Sequence, residues 1–302
     1  MYKVEEECFC PEKATHSSNL MTSVCNESTQ CKQRRFIYDA LSLHLGEIFF
    51  NFMQIQNKNT LSIIVPLFNE EENVIPLIEN IFKTIGENQN FLELVLVDDG
   101  SCDSTVEIVS QLAEKDKRIR LIRHQENKGL GGAIRTGLKS ACGDFVLYTD
   151  ADLPFDFTLI PNLFLLADEN SIVSGYRINR GEGFRRWILT KGYNYFIKMF
   201  FGLYLNDVNF ACKIFPKRFL QQAELNSEGS FIDAEMLLEG LRLGLEIKEY
   251  PMVYFPRERG LSTLSRPKVI FFILKEMFVY AKNNFSKKTS VIHPNPTLEI
   301  NE

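Results

Sequence analysis

From residue 61 onward, short apolar runs rich in β-branched residues recur between stretches with helical spacing, and this alternation limits the possible fold more than any other feature. The runs are Leu61–Val65, Leu92–Val97, Ile119–Arg123 and Phe145–Tyr148, with helices predicted over about 72–86, 104–115 and 130–141. Strands that are apolar along their whole length and joined by helices predict a parallel sheet covered on both faces. Ligands of such sheets bind beyond the carboxyl ends of the strands, so the residues after each run are the informative ones. Pro66, Asn69 and Glu70 follow the first run, Asp98, Asp99, Gly100 and Ser101 the second, and Thr149, Asp150 and Asp152 the fourth. Three strand ends thus bring carboxylates to one edge.

Of 302 residues, 45% are apolar and 24% charged, ample for a core and unlike a disordered tail or a low-complexity linker. A net charge of −5 argues against a nucleic-acid partner. That average hides a division: residues 1–175 carry a net −11, residues 176–302 a net +6, and much of the Phe lies in the basic part. The two parts are expected to meet different partners.

The seven cysteines are an odd set, and Glu5, Glu6 and Glu7 stand where a secretory leader would have a basic and then an apolar stretch. Reduced thiols in a cytoplasm are the expectation. Cys8, Cys10, Cys25 and Cys31 match no standard zinc spacing. The longest apolar stretches are interrupted, 187–205 by Lys191 and Lys198, 269–280 by Lys275 and Glu276, so neither reads as a membrane span.

Composition shifts near residue 58. Residues 1–58 read as an N-terminal extension, disordered or foreign to the native chain with Met53 as the start, 59–285 as one α/β domain, and 286–302 as a tail.

Individual motifs allow both structural and functional readings. Asn69 with Glu72 has capping-box form, and Asp103 is placed to cap the next helix. Adjacent Asp98 and Asp99 repel each other, a cost that hydrogen bonding to a ribose or base would give a purpose. Gly129, Gly131 and Gly132 lack the pattern of a phosphate loop and are read as positions of close helix-to-sheet packing, with Arg135 available to an anion. Asp150 and Asp152, hard oxygen ligands after an apolar strand, suit Mg²⁺ or Mn²⁺ on a diphosphate. Asp233 opens a helix, where it serves either as a cap or in chemistry.

In order and spacing, the segments 62–74, 94–105, 127–154, 207–219 and 231–240 resemble glycosyltransferase family 2, in its polyprenyl- or dolichyl-phosphate sugar synthase branch. The resemblance covers about residues 60–285 and implies a GT-A fold: a mostly parallel central sheet with helices on both faces, here followed by C-terminal amphipathic helices. It implies that Pro66, Glu70, Asp98, Asp99 and Asp150 serve the donor, to which the reading of Arg135 as an anion partner is added. Asp150 and Asp152 would hold the metal, with Asp156 or water as a further ligand, Asp152 and Asp233 would carry the chemistry, and Arg177, Arg257, Arg259 and Ser265 would meet the acceptor phosphate. Pro154 stands where many mannosyl relatives place a Gln metal ligand, which weakens any specific claim for GDP-mannose.

The expected activity is inverting, metal-dependent transfer of a hexose from a nucleotide diphosphate sugar to a polyprenyl phosphate at the cytoplasmic face of a membrane. The Phe-rich stretches 184–205 and 269–281 fit peripheral membrane contact as well as they fit core helices. The alternatives are a sugar-hydroxyl acceptor with Asp233 as general base, a non-catalytic nucleotide-sugar-binding scaffold, and, more weakly, a nucleotidyltransferase.

Overall fold

Each of the four apolar runs forms a strand of one sheet. The computed structural model describes residues 59–179, 184–255 and 267–284, all within the unit Asn57–Glu302. In chain order the elements are β1 (Leu61–Leu67), α1 (Val74–Ile85), β2 (Phe91–Asp98), α2 (Thr105–Lys115), β3 (Ile119–Arg123), α3 (Gly129–Ser140) and β4 (Phe145–Thr149). There follow α4 (Ile160–Leu166), β5 (Ser171–Asn179), α5 (Phe184–Phe201), β6 (Cys212–Pro216), α6 (Lys217–Gln222), α7 (Ile232–Arg242), β7 (Glu246–Val253) and α8 (Pro267–Asn284). Among the described residues seven strands lie in the order β3-β2-β1-β4-β6-β5-β7. The expected parallel block is β3-β2-β1-β4, β6 runs antiparallel to both of its neighbours, and β7 is parallel to β5.

Alternation along the strands explains the two cores. On one face Ile63, Val65, Leu94 and Leu96 pack with Leu77, Ile78 and Ile81 of α1 and with Leu163 of α4. On the other, Ile64, Val95 and Val97 pack with Ile134 and Leu138 of α3 and with Met236 and Leu237 of α7. Burying each such side chain contributes about 1.5–3 kcal/mol. Both faces are covered, so the strand ends are where the sheet stays open.

The Asn69–Glu72 capping box does not form. The helix starts at Val74 with Asn73 at its cap and no side-chain cap bond, while Glu70 Oε2 accepts from Asn73 Nδ2 at 2.6 Å. Competition from the neighbouring loop explains the difference, because Asn69 is turned towards residues 101 and 102. Asp103 is not the cap either: Ser104 holds that position without a side-chain cap bond, and Asp103, one residue earlier, closes a turn by accepting from Thr105 N at 3.0 Å.

The Phe-rich stretches form α5 and α8, and each buries only a stripe. Ile197, Ile273 and Met277 face the core, while Tyr195, Phe196, Met199 and Phe200 of α5 and Phe272, Leu274 and Phe278 of α8 remain exposed, Phe278 to 70%. No helix among the described residues is long and apolar enough to cross a membrane. Arg257, Arg259 and Ser265, the N-terminal extension and the tail lie outside the described residues.

Candidate active site

The loops after β1 and β2 are fastened to each other. Ser101 Oγ accepts from Asn69 N at 2.9 Å, Asn69 Oδ1 from Cys102 N at 2.9 Å, Thr105 Oγ1 from Glu70 N at 2.9 Å, and Glu71 Oε2 from Ser104 N at 2.9 Å. Asn69 sits at φ 56°, a left-handed conformation that Asn tolerates better than other residues with a side chain. Phe68, between the strand and this fastening, leaves its ring 48% exposed. Pro66, paired in register with Val97, is half-buried beneath.

Asp98 and Asp99 avoid mutual repulsion by taking separate partners. Asp98, fully buried, accepts from Gly100 N and Ser101 N and closes its own turn, with Gly100 at φ 81°. Asp99 Oδ1 accepts from Lys128 N at 2.8 Å and lies 2.7 Å from His124 Nδ1, whose Nε2 lies 2.9 Å from Thr136 Oγ1. His124 was not anticipated from sequence; its signal was a lone His directly after an apolar strand.

After β4 the chain carries Asp150 and Asp152, and Leu153 stands at φ 53°. A bulky residue held there marks backbone strain at the turn that aims the two carboxylates. Tyr148 donates to Asp150 Oδ1 at 3.0 Å. Burial first, then the charges of Asp152 and Asp233, push the Asp150 carboxyl up to about 7. The charges of Asp152 and Asp233 therefore make an ionised Asp150 costly, a cost that a cation would lower.

Asp156 does not join them. It is exposed, and its Oδ1 caps the short turn Phe157–Leu159 by accepting from Thr158 N at 2.9 Å. Among the described residues no three His, Cys, Asp or Glu side chains gather as a metal-holding cluster.

Asp233 is not a helix cap, because it lies inside the first turn of α7 and its carboxylate is paired. Its Oδ1 accepts from Lys213 Nζ at 2.6 Å, and Lys213, fully buried, also donates to Phe210 O at 2.7 Å. Burial raises the Asp233 carboxyl and the Lys213 ammonium opposes it.

Arg177 forms a second buried pair. Its Nε and Nη2 donate to Asp207 Oδ2 and Oδ1 at 2.6 and 3.1 Å, and its guanidinium lies 5.8 and 5.2 Å from the ring centres of Phe210 and Tyr254. The charge expected for an acceptor phosphate is thus already matched by Asp207. Neither Lys213 nor Asp207 was assigned a role from sequence, although a Lys inside the apolar run Ala211–Phe215 is a visible signal of a buried charge.

Arg135 also has a structural partner, donating to Ser227 O. Gly131 N donates to Glu228 O at 2.7 Å, and a Cβ on Gly131 would lie 2.0 Å from Ser227 O. The helix-to-sheet packing expected at Gly129, Gly131 and Gly132 does not form: Gly129 and Gly131 press on the 227–228 backbone and Gly132 on Lys128, whereas Gly137 packs on the sheet, against Ile64.

Comparison with known proteins adds to this geometry. The family model for glycosyl transferase family 2 matches residues 62–223. The chain is 33% identical over 226 residues to a dodecaprenyl-phosphate galacturonate synthase of Rhizobium johnstonii, covering 72% of this chain and 66% of that protein. It is 30% identical over 214 residues to an undecaprenyl-phosphate 4-deoxy-4-formamido-L-arabinose transferase of Proteus mirabilis, covering 70% of this chain and 65% of that protein. The chain therefore spans about two thirds of the length of these relatives.

Among solved structures, glucosyl-3-phosphoglycerate synthase of Mycobacterium tuberculosis, in complex with Mn²⁺, uridine diphosphate and glucosyl-3-phosphoglycerate, matches with a TM-score of 0.57 at 21% identity, over 75% of this chain and 83% of that one. The likeness establishes a shared fold. Its seven-stranded sheet, the acidic strand ends and the match across residues 62–223 place the chain in glycosyl transferase family 2.

Proposed function

We propose that the protein transfers a hexose from a nucleotide diphosphate sugar to a polyprenyl phosphate, with inversion at the anomeric carbon. The observation that carries this is the convergence of the Asp98–Asp99 and Asp150–Asp152 strand ends beside a buried Asp233, in a chain whose relatives are named for polyprenyl-phosphate transfer. Asp99 and Glu70 are the residues proposed for the ribose and base, and the exposed Phe68 is the proposed stacking face.

The residues present fit a divalent cation. Asp150 and Asp152 supply two hard oxygen donors in a crowded acidic site, and Mg²⁺ or Mn²⁺ is commonly held by one or two carboxylates together with substrate phosphates and water. Such an ion, when bound, neutralises charge on a diphosphate leaving group. The protein's own part is to hold the two carboxylates and to fasten the β1 and β2 loops around the nucleotide.

A phosphate monoester has a second pKa near about 6, so a polyprenyl phosphate is ionised at neutral pH and needs no strong base. Its lipid fits the exposed aromatic faces of α5 and α8, which carry Lys198, Lys275 and Lys282 for an anionic surface at the cytoplasmic face of a membrane.

One observation favours the second reading, a sugar-hydroxyl acceptor: burial lifts the Asp233 carboxyl towards the range useful for a base. Two substitutions separate the readings. With a phosphate acceptor, Asp152→Asn lowers kcat by about 100-fold or more, as loss of a charge-stabilising group does, while Asp233→Asn costs about tenfold. Loss of the size expected for a general base in Asp233→Asn, about 100- to 10,000-fold, assigns a hydroxyl acceptor instead.

A further inference from the structure

Lys213 is an uneconomical residue to bury. It is fully enclosed in β6, where its strand neighbours are Cys212 and Ile214, and an apolar side chain of like volume would hold a sheet at least as well. Its position is set on both sides by register, opposite Tyr148 of β4 and Ser174 of β5. From there the ammonium reaches Asp233 Oδ1 at 2.6 Å and Phe210 O at 2.7 Å, and lies 5.7 Å from the centre of the Tyr148 ring. Tyr148 in turn donates to Asp150. Two paired strands, β4 through Tyr148 and β6 through Lys213, thus link the Asp150 side of the site to the Asp233 side.

Among the described residues Asp233 Oδ2 makes no hydrogen bond, while Oδ1 is taken by Lys213. A carboxylate at the start of a helix has rotamers to choose from; one oxygen anchored to a sheet lysine leaves it a single orientation. We propose that Lys213 is the positioning residue for Asp233, anchoring one carboxylate oxygen to the central sheet so that the other faces the acceptor. This rests on Asp233 standing on the acceptor side of the site.

A double-mutant cycle on the full chain tests it, using Lys213→Met, Asp233→Asn, the pair together, and Lys213→Arg. The acceptor is whichever of polyprenyl phosphate and a sugar hydroxyl the wild type glycosylates; a wild type that uses only the hydroxyl overturns the acceptor proposed above, and the cycle still decides Lys213. The expected result is that Lys213→Met and Asp233→Asn lower kcat/KM for the acceptor to a similar extent and that the double variant is no worse than either. Residues that act as a unit are non-additive in this way.

Lys213→Arg recovers most of the rate. The double variant, with no stranded buried charge, melts above Lys213→Met and binds the nucleoside diphosphate with Mn²⁺ within about twofold of wild type, since the pair removed is neutral overall. Losses that multiply in the double variant, a Lys213→Met enzyme at the wild-type rate, or nucleotide affinity falling in step with the rate would each overturn the proposal. Should Lys213→Met fail to fold, Lys213→Arg and the double variant carry the comparison.

Discussion

At the scale of single residues, the loops around the site are held by close, specific contacts. Gly131 shows how little room is left: its N–H donates to Glu228 O, and its missing side chain makes way for Ser227 O. Gly131→Ala must push the 227–228 backbone away, and that backbone also receives Arg135 and is gripped by Glu235 of α7, which accepts from Asn226 N and Ser227 N. The expected cost is about 1–3 kcal/mol, as for other overpacked sites. Urea unfolding would show it, along with a fall in turnover, because α7 carries Asp233.

Some of this was legible in the sequence. Asp98, Asp99, Asp150 and Asp152 were visible because an apolar strand immediately before a carboxylate fixes where that carboxylate emerges. Lys213 and Asp207 were not, because their partners, Asp233 and Arg177, are 20 and 30 positions away in the chain and only the sheet brings them together. Asn69 misled for a related reason: its local pattern favoured a cap, and a loop 32 residues away competed successfully for it.

At the scale of elements, the two ends of the sheet have different duties. At the amino ends of the strands, opposite the site, Glu93 of β2 accepts from Ser62 Oγ of β1, from Cys142 N before β4 and from Arg120 of β3. Burial alone would raise its carboxyl, but these bonds outweigh burial and hold it below the ordinary value of 4.5. A depressed carboxyl contributes stability that is fully present above the unfolded value and lost as pH falls through the folded one. Glu93→Gln is therefore expected to cost about 1.5–3 kcal/mol near neutrality and to flatten the loss of stability below about pH 4.5, with nucleotide affinity unchanged. Chemical denaturation across pH, with calorimetry on the nucleotide, checks both halves of that expectation.

The helices divide similarly. The periodicity that predicted three helices between β1 and β4 has its counterpart in the faces that α1 and α3 bury, while α2 buries only Thr105 and Val109 fully. In α5 and α8 the apolar residues run around the helix, so sequence alone left core and surface equally open, and among the side chains described both occur: Ile197, Ile273 and Met277 are buried, Phe196, Phe200 and Phe278 exposed. If that exposed face meets a bilayer, Phe278→Glu should weaken binding to anionic vesicles by about tenfold or more, the equivalent of losing one buried Phe. Flotation with vesicles measures this, and unchanged flotation would remove α8 from the membrane contact.

At the scale of the whole molecule, the parallel block β3-β2-β1-β4 was readable because each of its strands announces itself as an apolar run. The second half was less so: β6 reverses direction and β5 and β7 pair beyond it, a topology that depends on contacts distant in sequence. The charge division now has a structural counterpart. The acidic part supplies the strand ends with Asp98, Asp99, Asp150 and Asp152, and the basic part supplies β6, α5 and α8 with Lys213 and the exposed aromatic faces.

The central claim is that these two parts together move a sugar onto a lipid phosphate. It is tested most directly by offering labelled UDP-glucose, UDP-N-acetylglucosamine and GDP-mannose to the protein with undecaprenyl or dolichyl phosphate, with and without Mn²⁺. The predicted result is label from one donor passing into a solvent-extractable product only when both the polyprenyl phosphate and the cation are present. Label that stays in the aqueous phase with every donor while the nucleotide still binds, or that passes only to a sugar hydroxyl, would contradict it.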